Sequence, residues 1–128
     1  MTRLLGLMVL LCGFAFAQNK VYELRTYTCF EGKLEDLKKR FRDHTIEIFK
    51  RHGMESIGYW VPDDPEKSKT TLTYIISHAS REQATKNWQE FMSDPEWKKV
   101  AADSEANGKI VQKVDRLFLN PTDFSKLK

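Results

Sequence analysis

The sequence predicts an α+β fold of ferredoxin-like type, βαββαβ in order, with an antiparallel sheet. Three observations predict it. Two segments repeat apolar residues at three- and four-residue spacing, which marks amphipathic helices. Four short segments rich in β-branched and aromatic residues lie between Gly, Pro, Asn and Asp, which marks strands. The two kinds then follow one another in the order of a split βαβ motif. At 128 residues, with 41% hydrophobic and 30% charged residues and no internal repeat, linker or low-complexity tract, the chain has room for one domain.

The first strand, over 21–28, contains neither Gly nor Pro. Its alternation puts Tyr22, Leu24 and Thr26 on one face and Glu23, Arg25 and Tyr27 on the other. After the turn at Glu31-Gly32, the residues Leu34, Leu37, Phe41, Thr45, Ile48 and Phe49 form one stripe of a long helix. Glu35, Asp36 and Glu47 each precede a base by four, pairing with Lys39, Arg40 and Arg51 on the outer face. His52-Gly53 ends the helix, with glycine as a left-handed cap and histidine at the negative end of the dipole. Strands follow over 54–61, closed by Pro62-Asp63-Asp64-Pro65, and over 70–77. Ser80 and Gln83 read as a reciprocal capping box for a helix that buries Ala84, Trp88 and Phe91. Asp94 and Pro95 restart a short second helix, and a last strand runs over 110–119 between Asn107-Gly108 and Asn120-Pro121.

Right-handed crossovers place both helical segments on one sheet face. The other face is left bare, and an apolar bare face marks an interface. A second copy packed face to face gives a homodimer with a barrel across the seam, the dimeric α/β barrel arrangement. Residues 1–17 are expected to be a signal peptide: Arg3 precedes the apolar run Leu4 to Ala17, which ends in Ala15-Phe16-Ala17. The run is too short to span a bilayer as a helix, so no stable membrane anchor is expected after cleavage, and residues 18–128 become an exported domain, periplasmic or secreted. Processing removes Arg3 from a formal net charge of +3 and removes Cys12. Cys29 is then unpaired within the chain, either buried and inert or paired between subunits or reactive.

The chemistry-bearing residues give few patterns. His44, His52 and His78 lack the spacing of a metal site, so no metal is expected. Ser56 in Gly53-Met54-Glu55-Ser56-Ile57-Gly58 has the wrong spacing for a nucleophile elbow, and the six glycines make no phosphate loop. Lys38, Lys39, Arg40 and Arg42 alternate with acids, which argues against nucleic acid. No catalytic residue is identified. The candidate ligand-binding face is Glu23, Arg25 and Tyr27: if Tyr22 and Leu24 meet the helices, these three enter the dimer cavity, where a guanidinium fork suits an anionic or carbonyl-bearing ligand. A structural Glu23–Arg25 ion pair is the alternative. Tyr59, Trp60 and Tyr74 are cavity walls or core.

Tyr22 to Thr28 followed by Gly32-Lys33-Leu34, the His52-Gly53-Met54 exit, Gly58-Tyr59-Trp60, Trp88, Asp94 to Trp97 and the tail Asn120 to Ser125 together resemble the NIPSNAP family over about residues 21–126. The resemblance implies a dimeric α+β barrel, a class that also holds small monooxygenases, haem-handling enzymes and isomerases. It also implies roles in vesicle transport and mitophagy signalling known for mitochondrial animal members, which an export signal argues against. Two functions follow: an exported homodimeric module that binds a small hydrophobic or anionic ligand or a partner, or a small barrel-cavity enzyme, monooxygenase or isomerase. No cofactor is expected; haem enters only through the class analogy.

Overall fold

The structure, a computed structural model, describes residues 20–128. The expected signal peptide over 1–17 and Cys12 lie outside the described residues. Strand β1 (Val21–Cys29) is followed by a helix in three parts: α1 (Leu34–Arg40), a π-helical turn (Phe41–Thr45) and α2 (Ile46–Arg51). Then come β2 (Glu55–Trp60), a 3-10 turn (Lys67–Lys69), β3 (Thr71–His78), α3 (Arg81–Ser93), α4 (Pro95–Ser104) and β4 (Val111–Leu119). The strands form one antiparallel sheet in the order β2-β3-β1-β4, the ferredoxin-like topology the sequence predicts.

Local chemistry sets the boundaries. At Gly53 the backbone turns to φ +76°, where a side chain is strained, and the Met54 N–H reaches back to the Phe49 carbonyl at 3.0 Å. Ser80 Oγ accepts the Gln83 N–H at 3.0 Å, which caps α3. The reciprocal half of that box does not form, because the Gln83 amide instead lies 2.9 Å from that of Asn87. Asp94 Oδ1 accepts the Glu96 N–H at 2.8 Å, with Pro95 at the first helical position.

The expected i,i+4 ion pairs on the first helix are also replaced. Glu35 pairs with Lys38, Lys39 turns to Asp43, and Arg51 leaves its helix for Asp94 and Glu96. Arg40 is not on the solvated face at all: it lies beside Leu37 and Phe41 on the buried stripe.

The core fills the space between sheet and helices. Leu37, Phe41, Ile48 and Phe49 from the first helix meet Leu72, Tyr74 and Ile76 of β3, and Phe91 of α3 closes the layer. Phe49 is the hub, with Phe41, Tyr74, Trp88 and Phe91 rings all within 6.1 Å of its centroid. Each such fully buried side chain contributes roughly 1.5–3 kcal/mol by leaving water.

The two sheet faces are the reverse of what the alternation suggests. Glu23, Arg25 and Tyr27 point at the helices, since Trp88 of α3 bonds Glu23 and Phe41 packs on Tyr27. The open face carries Tyr22, Leu24, Thr26 and Thr28, with Thr73 and Ile75 of β3 and Leu117 of β4 beside them by register. The physical reason is that the polar residues saturate one another inside. Tyr22 is nonetheless buried, because the chain after β4 folds back to border a recess against Tyr22, Ile75 and Leu119.

Candidate functional site

Residues at every second position of β1 project under α3, and the end of β3 adds a histidine at the same depth. Glu23, fully buried, is the centre. Its Oε2 accepts from Arg25 Nη1 at 2.8 Å, and its Oε1 accepts from the Trp88 indole at 2.7 Å and from His78 Nε2 at 2.9 Å. Because a carboxylate only accepts, His78 Nε2 carries a proton. His78 Nδ1 is 3.0 Å from the Asn87 side-chain amide. Arg25 extends the network in the other direction: Nη2 donates to the Tyr27 hydroxyl at 3.2 Å, and Tyr74 donates to the same oxygen at 2.9 Å. The Trp88 ring lies 4.2 Å from the Arg25 guanidinium carbon, a cation–π contact.

These partners decide the protonation states. Burial raises the cost of the Glu23 charge, but hydrogen bonds from His78, Trp88 and Arg25 outweigh it and hold the carboxyl below its usual range. Burial likewise opposes the Arg25 charge, and the Tyr27 and Tyr74 oxygens with the Glu23 bond more than restore it, so the guanidinium is pushed up. Tyr74, enclosed on all sides, is pushed well above a normal phenol by burial. Burial also raises the Cys29 thiol to about 11, against an opposing pull from Arg40; the thiol is buried and unpaired, which fits the inert alternative.

Of the six candidate ligand residues, Glu23, Arg25, Tyr27 and Tyr74 are joined directly. Tyr59 stacks on Tyr74 at 5.3 Å and shares a 2.8 Å hydrogen bond with Ser56, so it is a wall of the same cluster. Trp60 is not part of it. Its indole lies on the other sheet face over Gly58, where a Cβ would come within 2.5 Å of the ring, and it is 51% exposed. The expectation that Glu23, Arg25 and Tyr27 line a cavity on the open face is therefore corrected: they sit between sheet and helices. His78, Asn87 and the indole N–H of Trp88 were missed as members. His78 shares the parity of Tyr74 and Ile76 in β3, which is the signal that could have found it. His52 Nε2 is held 2.7 Å from Asp94, and His44 is exposed.

A family model described as NIPSNAP matches residues 22–126. A NIPSNAP family protein with unknown function from Agrobacterium tumefaciens is similar in structure at 23% identity and TM-score 0.73, covering 87% of this chain and 96% of that one. A cofactor-independent oxygenase from Streptomyces nogalater is more distant, with TM-score 0.55 and 10% identity over 84% of this chain and 98% of that one. A monooxygenase from Streptomyces coelicolor, solved in complex with nanaomycin D, gives TM-score 0.59 at 12% identity, covering 87% and 95%. No curated protein matches the chain. These likenesses show the fold, an α+β ferredoxin-like fold with neighbours in the dimeric α/β barrel class.

Proposed function

The chain belongs to the NIPSNAP family, and on that footing we propose that it is an exported homodimer that acts as a binding or interaction module for a small hydrophobic or anionic ligand. The observation that carries the reading is the open sheet face. Leu24, Thr26, Thr73, Ile75, Leu117 and Trp60 form a largely apolar patch there, bordered on β4 by the Lys113–Asp115 ion pair, with Leu117 57% exposed. Such a patch favours a partner, and a two-fold copy of the same face is self-complementary. The polar residues that would otherwise suggest chemistry are engaged with one another, which supports binding over catalysis. No cofactor is invoked, since His78 is held by Glu23 and Asn87 and His52 by Asp94.

Native mass spectrometry of the processed protein tests the dimer. Two copies at micromolar concentration are expected, with Leu117→Lys giving folded monomers, because that side chain is exposed within one subunit and only the seam would feel the charge. A monomeric wild type overturns the dimer. An N-terminus at Gln18 in protein recovered from outside the cytoplasm is the matching test of export.

One observation favours the enzyme reading. Tyr27 accepts hydrogen bonds from both Arg25 and Tyr74, and its own proton has no acceptor among the described residues. A phenol with an uncommitted proton is a proton donor for a cofactor-free oxygenase-like reaction, provided that a substrate reaches it between sheet and helices. Oxygen uptake with a panel of small aromatic compounds, abolished in Tyr27→Phe with the fold intact, would move the assignment to that class.

A further inference from the structure

A cleft of about 480 Å³ opens between α1 with its π-helical turn and α4, away from the open sheet face and from the Glu23 network. Its floor follows from the placement of Arg40. The helical stripe buries this side chain, leaving it 6% exposed, with its guanidinium 5.2 Å from the Trp97 ring centroid. Nη1 donates to Ser104 Oγ at 3.2 Å. The Glu105 carboxylate stands 3.8 Å away, beyond hydrogen-bonding distance, and the buried Nε has no partner. Burial pulls the guanidinium below its ordinary value, the reverse of what happens at Arg25. The turn that begins at the next residue is π-helical, with the Thr45 hydroxyl donating to the Arg40 carbonyl at 3.3 Å; such turns recur at functional sites.

Each of the four carboxylates that line the cleft has a cation within 3.7 Å. Asp43 is paired with Lys39, Asp103 with Lys99 at 2.6 Å, Asp36 with Lys33 at 3.7 Å and Glu96 with Arg51 at 2.7 Å. Arg40 is thus the charge in the cleft with no carboxylate at hydrogen-bonding distance. We propose that this cleft binds a small organic carboxylate, its carboxylate on the Arg40 guanidinium, its carbon skeleton along Val100 and its polar substituents among the paired charges of the rim. The volume is that of a small-molecule site. A planar guanidinium fork is the partner such an anion needs, and a buried cation whose nearest carboxylate stands 3.8 Å away gains from a closer one.

The inference deepens the binding reading and is independent of the dimer, so the two fail separately. The test is an ¹H–¹⁵N titration of the processed protein with succinate, with inorganic phosphate and chloride as parallel arms at matched ionic strength. Succinate is expected to shift the Arg40 Nε–H and Trp97 indole signals saturably, with the same response in Leu117→Lys. Arg40→Lys, which keeps the charge but loses the fork, should weaken binding at least about tenfold. Ser104→Asp provides a second variant that keeps Arg40: a carboxylate supplied by the chain itself should abolish the succinate response. No saturable shift, an equal response to chloride, tighter binding of phosphate than succinate, or a response that survives both substitutions overturns the proposal.

Discussion

Two arginines are buried among the described residues, and the sequence treats them differently. Arg25 lies between sheet and α3 with a carboxylate 2.8 Å away, a phenol on its other nitrogen and an indole across its face. Arg40 lies under α4 with an indole and a serine hydroxyl but no carboxylate closer than 3.8 Å. Each has a buried Nε without a partner, so the difference is the counter-charge. Their guanidiniums move in opposite directions as a result, up at Arg25 and down at Arg40. A buried charge compensated by its own chain becomes scaffold, whereas one left short of compensation beside a cleft becomes a place for a ligand.

The largest expected effect comes from removing the compensation at Arg25. Glu23→Gln leaves a buried guanidinium without its carboxylate and should cost about 3–5 kcal/mol, read from urea unfolding. A loss below 1 kcal/mol would mean that the network is not the structural hub its geometry implies. The same carboxylate gives a pH signature. Its folded pKa is depressed, so its stabilisation is complete above the ordinary carboxylate range near 4.3 and is lost as pH falls through the folded value. The stability gap between wild type and Glu23→Gln should therefore narrow in acid and stay constant from about pH 6 to 8. Tyr74→Phe removes one of two donors to Tyr27 and should cost about 0.5–1.5 kcal/mol, with Arg25 still holding the phenol. Smallest of all, Arg40→Met in the absence of ligand should change stability by less than about 1 kcal/mol, because it removes a buried charge together with its desolvation cost.

Much of the fold was legible because it rests on short-range signals. The stripe from Leu34 to Phe49, the Gly53 exit, the Ser80 cap and the Asp94-Pro95 restart all read directly from spacing and turn chemistry. The orientation of β1 was not legible. Period-two alternation separates Tyr22 and Leu24 from Glu23 and Arg25, but it cannot say which set meets the helices, and the usual preference for burying the apolar set points the wrong way here. Partners supplied by His78 and Trp88, more than 50 residues away in sequence, are what make a buried Glu23 affordable. Arg40 was misread for a related reason. An acid four residues ahead suggested a surface pair, yet the 3.6-residue period puts residue 40 beside Leu37 and Phe41, and that period prevailed.

The contrast between the two arginines is tested most directly by taking Arg25→Met and Arg40→Met through urea unfolding side by side, each with and without succinate. The account predicts a large loss for Arg25→Met, almost none for Arg40→Met, and a succinate-dependent rise in midpoint that wild type shows and Arg40→Met lacks. Equal losses at the two positions, or a succinate effect retained without Arg40, would contradict it.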